Sequence, residues 1–347
     1  MFTIYLLMRF SCKNANNYID FTNAMCYILV KKKISEIISC TKTQWRSSMK
    51  VLNIGSLNID RVYEVEHFVK PGETIKTTHY SEACGGKGLN QSIALARSGA
   101  EVYHVGAVGA DGGMLLDVLK TSGVHTEGVR TLPGASGHAV IQVDVSGQNN
   151  IIICGGANDS VSKEMIDETV KKIESGDIVL FQNEISNVGY AVRAAKEAGA
   201  KVALNPSPIN ENLASIPMDL VDYFLVNEIE GKEISGAETE EPEIVMEGLK
   251  KKFPNAAVVL TLGDKGSWYF DRDKCIRQEI YRVKTVDTTA AGDTFCGYFL
   301  SGITKNMEMH EILKTASAAS AIAVSKKGAA PSIPTYEEVE EFLKENQ

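Results

Sequence analysis

Residues 286–295 read V-D-T-T-A-A-G-D-T-F and run directly into the apolar stretch 296–303, which has the composition of a buried helix. Small residues followed by Gly292 at a helix start leave several backbone N–H groups unpaired, and the helix dipole adds positive potential at the same place. Such a turn binds anionic oxygens without help from Lys or Arg. Asp293 stands at its mouth, where a carboxylate could take the proton of an attacking hydroxyl as a phosphoryl group arrives. On spacing alone a second reading is as direct: Asp293 is a helix-start acid that stabilises the dipole.

Working outward from this turn, the chain alternates short aliphatic runs with amphipathic stretches. Residues 51–57, 101–108, 177–182, 201–205, 222–226 and 256–262 are nearly continuous apolar runs, the mark of strands covered on both faces. Between them, Leu89, Ile93 and Ala96 share one helical face, and Met114, Val118 and Thr121 recur at similar spacing. The alternation predicts an α/β fold with a mostly parallel sheet and helices on both sides. Residues 61–81 and 137–154 break the rhythm. In the second, Ile141, Val143 and Val145 alternate with Gln142, Asp144 and Ser146 before a turn at Gly147, which predicts antiparallel strands in a small separate sheet.

Common nucleotide motifs are missing from the sequence: there is no G-x-x-x-x-G-K-[ST], and Gly106, Gly109 and Gly112 have G-x-x-G-x-x-G spacing, which reads as a strand-to-helix turn. A second glycine-rich turn, Gly85-Gly86-Lys87-Gly88-Leu89-Asn90, precedes a helix, and its Lys87 and Asn90 supply donors and an acceptor suited to sugar hydroxyls. Asn58 and Asp60 end the first apolar run, at the edge where open parallel sheets bind ligands. Asp with Asn is chemistry for holding polyols, although either alone also reads as a strand-end turn.

Composition bounds the rest. The 347 residues are 44% hydrophobic and 23% charged, with net charge −8, so a general affinity for nucleic acid or anionic membrane is not expected. Seven cysteines without paired short spacing suggest a reducing compartment, hence a cytoplasmic protein, without a disulfide framework or zinc site. Residues 1–48 differ, with seven Lys or Arg against two acids, where residues 49–347 carry 29 against 42. Their apolar runs are too short for a membrane span, and the charges follow the apolar stretch rather than precede it as in a secretory signal. They read either as a transit-like leader, which would make the protein organellar or nuclear, or as an extension without a fold of its own, with Met49 opening the folded part.

The two glycine turns together carry a resemblance. G-G-K-G-x-N at 85–90 and D-T-T-A-A-G-D at 287–293, in that order in one α/β chain, resemble the signatures of the ribokinase-like (PfkB-type) carbohydrate kinases, over about residues 51–343. The family resemblance implies a three-layer α/β/α sandwich with a small β-sheet lid over the sugar, for which segments 61–81 and 137–154 are the candidates. It also implies a homodimer joined through the lids. Within the family, Asn58-Ile59-Asp60, G-G-K-G-L-N and K-K-G-A-A-P-S favour ribose as the acceptor.

Carried over by position, the resemblance makes Asp293 the catalytic base and the backbone of Ala290, Ala291 and Gly292 the anion hole. Asn58, Asp60, Gly86, Lys87, Asn90 and Glu184 would bind the sugar. Asn227 would act with magnesium and the phosphates, with Glu230 as its acidic partner. Thr261, Gly263, Asp264, Lys265 and Gly266 would run along the nucleotide, and Ser317 would lie near the adenine, where bacterial relatives have Asn. Asp287, Thr289, Ala323, Lys326, Gly328 and Ser332 would form a monovalent cation loop, mostly through carbonyls, which suits potassium. The implied reaction is transfer of the γ-phosphoryl of MgATP to the primary hydroxyl of ribose. Fructose or a nucleoside (adenosine, pseudouridine), a catalytically dead sugar-binding regulator and a nicotinamide oxidoreductase are the alternatives.

Overall fold

A computed structural model of the protein describes residues 49–346. The expectations for residues 1–48 lie outside the described residues. The elements in chain order are strands β1 (Val51–Ile54), β2 (Asn58–Glu64) and β3 (His79–Gly85), helix α1 (Lys87–Arg97), β4 (Val102–Val108), α2 (Gly113–Thr121), β5 (His125–Thr131), β6 (Gly137–Val143), β7 (Asn149–Cys154), α3 (Lys163–Val170), β8 (Ile178–Gln182), α4 (Val188–Glu197), β9 (Lys201–Asn205), β10 (Tyr223–Asn227), α5 (Glu228–Ser235), α6 (Pro242–Lys252), β11 (Ala257–Thr261), β12 (Ser267–Phe270), β13 (Cys275–Gln278), α7 (Ala291–Thr304), α8 (Met309–Val324) and α9 (Tyr336–Glu345).

Nine strands form one sheet in the order β13-β12-β11-β10-β9-β8-β1-β4-β5. All pairs from β11 to β5 are parallel, and β12 and β13 extend the edge antiparallel. Alternation within the strands builds two cores. Val51, Ile178 and Leu180 face one side, with residues of α1, α2, α7, α8 and α9, while Leu52, Ile54, Val179 and Phe181 face the other, with α3, α4, α5 and α6. The result is a three-layer α/β/α sandwich. From β1 the chain steps to β4 and β5 on one side, and later to β8 and β9 on the other. The carboxyl ends of β1 and β8 therefore flank the point where strand order reverses, the place where open α/β sheets bind ligands.

The remaining four strands make a separate sheet, β3-β2-β6-β7, from the two segments that broke the sequence rhythm. It is not wholly antiparallel as expected. β2 pairs with β3 and β6 with β7 antiparallel, but β2 and β6 run parallel because each leaves the large sheet in the same direction. Two smaller expectations also change. On α2 the buried residues are Leu115 and Leu119, with Met114 and Val118 only half-buried and Thr121 exposed, so the core-facing stripe is shifted by one position. Gly106 lies inside β4 rather than in the following turn, and a Cβ there would come within 2.7 Å of the carbonyl oxygen of Gly55. None of the helices among the described residues is long and apolar enough to cross a membrane.

Helices α1 and α7 cross closely because Gly297 has no side chain. A Cβ at this position would lie 2.4 Å from that of Ala94 and 2.8 Å from the amide nitrogen of Leu95. Gly297 is one turn beyond Asp293 and Ala94 one turn beyond Asn90, so this contact sets how near those two side chains come.

Candidate active site

Asp293 sits in the first turn of α7 and is buried, at 8% exposure. Its Oδ2 accepts from Asn90 Nδ2 at 3.0 Å and its Oδ1 from Gln91 Nε2 at 2.9 Å. The two motifs, more than 200 residues apart, thus meet at one carboxylate. Ala290, immediately before α7, is held in the left-handed conformation at φ 61°, an unfavourable state for a residue with a Cβ and one that concentrates at functional turns. A Cβ built on Gly292 would meet no protein atom within 4 Å, so the space above this turn is open to a ligand.

Around the turn lies a cavity of about 230 Å³ lined by Lys87, Asn205, Asn227, Glu230, Ala290, Ala291, Gly292 and Asp293, among others. Burial works against the charge of Lys87, but the carboxylates of Asp293, Glu184 and Glu230 outweigh it and hold the ammonium above its usual pKa. Burial likewise raises Glu230 and Glu184, opposed in both cases by Lys87. Glu184 accepts from the Ser56 hydroxyl and from the backbone N–H of Lys87 at 3.0 Å, which ties the second glycine turn to the end of β8. Gly86 enters this turn at φ 93°, and Gly88 packs against the 55–56 backbone so closely that a Cβ would lie 2.3 Å from the Ser56 nitrogen.

On the small-sheet side, Asn58 is buried and its Oδ1 accepts from Asn158 Nδ2 at 2.8 Å. Asp60, on the same strand, is pushed up to about 6 by burial and then by the negative charge of Glu184. Asn90 keeps Oδ1 buried and without a partner while its nitrogen serves Asp293. A sugar hydroxyl would satisfy it. Asn58, Asp60, Gly86, Lys87, Asn90 and Glu184 therefore gather where the small sheet meets the reversal point.

On the opposite side of Asp293 the cavity continues into a groove of about 610 Å³ lined by Asn227, Thr261, Gly263, Asp264, Gly266, Gly292 and Ser317. Lys265 belongs to the same turn but is not among the lining residues. Asn227 and Glu230 form a reciprocal cap at the start of α5: the Glu230 N–H donates to Asn227 Oδ1 at 2.8 Å, and the Asn227 N–H to Glu230 Oε2 at 3.1 Å.

The third group lies beneath the anion turn. Asp287 Oδ1 accepts from the N–H of Thr289 at 2.9 Å and from its hydroxyl at 2.6 Å, and Oδ2 accepts from the N–H of Gly328 at 2.9 Å. Burial works against the charge of Asp287, but these bonds, led by that of the Thr289 hydroxyl, together with the Lys327 charge outweigh it and hold the carboxyl below its ordinary pKa. Ala323 and Ser332 are buried nearby in sequence, with the Ser332 hydroxyl donating to the Ala329 carbonyl, while the Lys326 ammonium pairs outward with Glu338 at 2.7 Å. Arg97, at the end of α1, donates to the carbonyls of Ala330 at 2.9 Å and Ile333 at 2.5 Å, fixing the far side of this loop.

Sequence reasoning missed Gln91, Gln182, Asn53 and Asn205, which extend from the Asp293 carboxylate into the sheet. Their signal was present: each is an amide within or at the end of an otherwise apolar strand run, or beside Asn90 in the second motif.

The sequence model of the pfkB family carbohydrate kinases matches residues 48–336. The chain belongs to this family of carbohydrate kinases. Among similar proteins, the ribokinase of Haemophilus influenzae is 36% identical over 305 residues, covering 86% of this chain and 99% of that one. The ribokinase of Arabidopsis thaliana is 36% identical over 304 residues, covering 84% of this chain and 80% of its own length. A solved structure of Arabidopsis thaliana ribokinase complexed with ribose and ATP superposes with a TM-score of 0.76 at 33% identity, covering 86% of this chain and 99% of that one. The three-layer sandwich and small sheet expected from the resemblance are the architecture observed, and the fold is that of the ribokinase structure it superposes on.

Proposed function

We propose that this kinase transfers the γ-phosphoryl group of ATP to the 5-hydroxyl of D-ribose, giving ribose 5-phosphate and ADP. One observation carries the reading: the buried carboxylate of Asp293, in the first turn of α7 beside the Ala290–Gly292 turn, stands between a polyol-binding set on the small-sheet side and a large groove on the other. The relatives named ribokinase, and the one complexed with ribose and ATP, support the choice of substrates.

Ribose lies against Asn58, Asp60, Gly86, Lys87, Asn90 and Glu184, with its 5-hydroxyl toward Asp293. The hydroxyl oxygen attacks the γ-phosphorus, the bond from that phosphorus to the β,γ-bridging oxygen breaks, and Asp293 takes the hydroxyl proton. Backbone N–H groups at Ala290, Ala291 and Gly292 stabilise charge on the moving phosphoryl group. The groove lined by Asn227, Thr261, Gly263, Asp264, Gly266 and Ser317 takes the nucleotide. Glu230 and Asn227 fit the magnesium that accompanies ATP, since a buried carboxylate with hard oxygen donors lines the cavity near the phosphate turn. When bound, the metal neutralises phosphate charge.

Residues 49–347 form the kinase unit, and the small sheet closes over the sugar to exclude water. Its edge strand β7 leaves Ile151, Ile152 and Ile153 53–65% exposed, an apolar run that suits pairing with a second copy. Potassium fits the loop of Asp287, Thr289, Ala323, Lys326, Gly328 and Ser332. One carboxylate already spent on three hydrogen bonds is a poor cage for a divalent ion, and carbonyls suit a large, weakly hydrated one.

The test is ADP release measured side by side with D-ribose, D-fructose, adenosine and pseudouridine at equal MgATP. Ribose is expected to give the highest kcat/KM by at least about tenfold. A higher value for another acceptor would move the substrate assignment, and sugar binding without ADP release from any of them would make the protein a regulator.

A further inference from the structure

We infer that Gln91 is a positioning residue for the catalytic base, its amide held donor-first by a buried chain of side-chain amides that has one self-consistent polarity. This rests on the reading of Asp293 as the base.

The chain starts from a group that can only accept. Asn53 Nδ2 donates to the backbone carbonyl of Gly88 at 2.7 Å and to Ser92 Oγ at 2.8 Å. Asn53 must therefore turn Oδ1 toward Gln182, whose Nε2 donates to it at 3.0 Å. The same Nε2 donates to Gln91 Oε1 at 2.6 Å. With its oxygen so committed, Gln91 presents only Nε2 to Asp293. A second anchor gives the same answer: Asn205 Nδ2 donates to the carbonyl of Leu225 at 2.9 Å, which leaves its Oδ1 to accept from Gln91 Nε2 at 3.3 Å. Two backbone carbonyls, in α1 and β10, thus fix the orientation of one amide independently.

Register brings these groups together. Gln182 and Asn205 are cross-strand partners at the ends of β8 and β9, and Asn53 and Gln182 share face parity with Val51 and Ile178, the side that carries α1 and α7. Asn53, Gln91 and Gln182 are wholly buried, and Gln182 Oε1 has no partner at all. Burying amides, one with an unpaired acceptor, costs stability that apolar side chains at these positions would not. What the chain supplies is a fixed plane for the base. A carboxylate turns readily about its last torsion. Donors on both oxygens, Asn90 on one side and Gln91 on the other, stop that rotation and leave the carboxylate an acceptor aimed at the sugar.

The experiment is a kinetic cycle in the full chain with Gln91→Leu, Gln182→Met and Asp293→Asn, singly and with Gln91→Leu combined with Asp293→Asn. Gln91→Leu is expected to lower kcat about 10- to 100-fold, with KM for ribose and for MgATP changed less than about threefold. Gln182→Met touches neither base nor substrate and should give the same split at smaller size, because Asn205 still anchors Gln91. In the Asp293→Asn background, Gln91→Leu should lower the residual turnover less than about twofold. Parent kcat in Gln91→Leu, or a full additive loss on the Asp293→Asn background, overturns the inference. If Asp293→Asn itself keeps parent turnover, the base assignment falls and the inference with it. Should the buried variants fold poorly, side-chain NH2 exchange in the parent decides: slow exchange at Gln91 and Gln182 supports the chain, and exchange at the rate of exposed amides rejects it.

Discussion

Replacing Asp293 by Asn tests the base with a defined structural outcome. In the parent both oxygens accept, from Asn90 at 3.0 Å and from Gln91 at 2.9 Å. The substituted amide has one acceptor and one donor, so one neighbour must give way. Gln91 cannot, because its oxygen is held by Gln182 and its nitrogen by Asn205. Asn90 can, because its Oδ1 has no partner and a half-turn of its amide offers that oxygen to the new NH2. The fold should therefore survive, with a loss of about 1 kcal/mol for exchanging a charge-assisted hydrogen bond, which is about 2–4 °C in Tm. Turnover should not: loss of a general base costs about 10²- to 10⁴-fold. Asn90 then points its nitrogen where ribose met an acceptor, so ribose affinity should fall less than about tenfold and MgATP affinity should hold. Coupled ADP release at saturating ribose and MgATP, with calorimetry for each ligand, checks all three. Turnover above about a third of the parent would refute the role of Asp293, and an unchanged ribose affinity would refute the Asn90 rotation.

Asp60→Asn separates stability from binding. A carboxyl raised from 3.8 to about 6 means that the folded state binds more protons than the unfolded between those values, so stability falls as pH rises through that window. The variant should melt higher than the parent at pH 7.5, an advantage that shrinks toward pH 4, while KM for ribose rises about tenfold; melting curves at the two pH values and a ribose titration decide. Gly297→Ala should force α1 from α7 at a cost of about 1–3 kcal/mol and lower kcat by moving Asn90 from Asp293; a variant as stable and active as the parent would show that the close crossing is not needed. Potassium should raise turnover several-fold over sodium at equal ionic strength, and Asp287→Ala should remove the difference. Equal rates in the two salts, at and well below saturating ribose and MgATP, would reject the cation loop.

The parallel sheet was legible because strands covered on both faces must be apolar throughout. Each of the six apolar runs overlaps a strand of the large sheet, with 201–205 matching residue for residue and β10 running one residue past the run 222–226. β5 and β13 were not read, since as the edge strands they have one margin in water and lose that signature; β5 mixes exposed and half-buried positions, whereas β12 is buried throughout but is a run of only four residues. The parallel β2–β6 pair was hidden for another reason. Alternation of polar and apolar residues reports that one face is free, but carries no information on strand direction.

The site shows the same division between local and tertiary information. Asp293, Gly292, Lys87 and Asn90 could be read because their chemistry lies in a backbone turn and its neighbours, which a few consecutive residues specify. Gln91 differs from a solvated glutamine only through what Gln182 and Asn205 do, and each of those is one amide closing an apolar strand. Their meaning depends on face parity and on register between strands that are not adjacent in sequence. An isolated polar residue in such a run reads as a strand end, and at Asn205 and Gln182 that is also true. The polarity of the set becomes determined only when Gly88 and Leu225 supply the fixed carbonyls from α1 and β10. The reactive group was thus visible in a motif, whereas the groups that aim it belong to the sheet and become visible only once the strand order places three amide-bearing strand ends beneath one helix crossing.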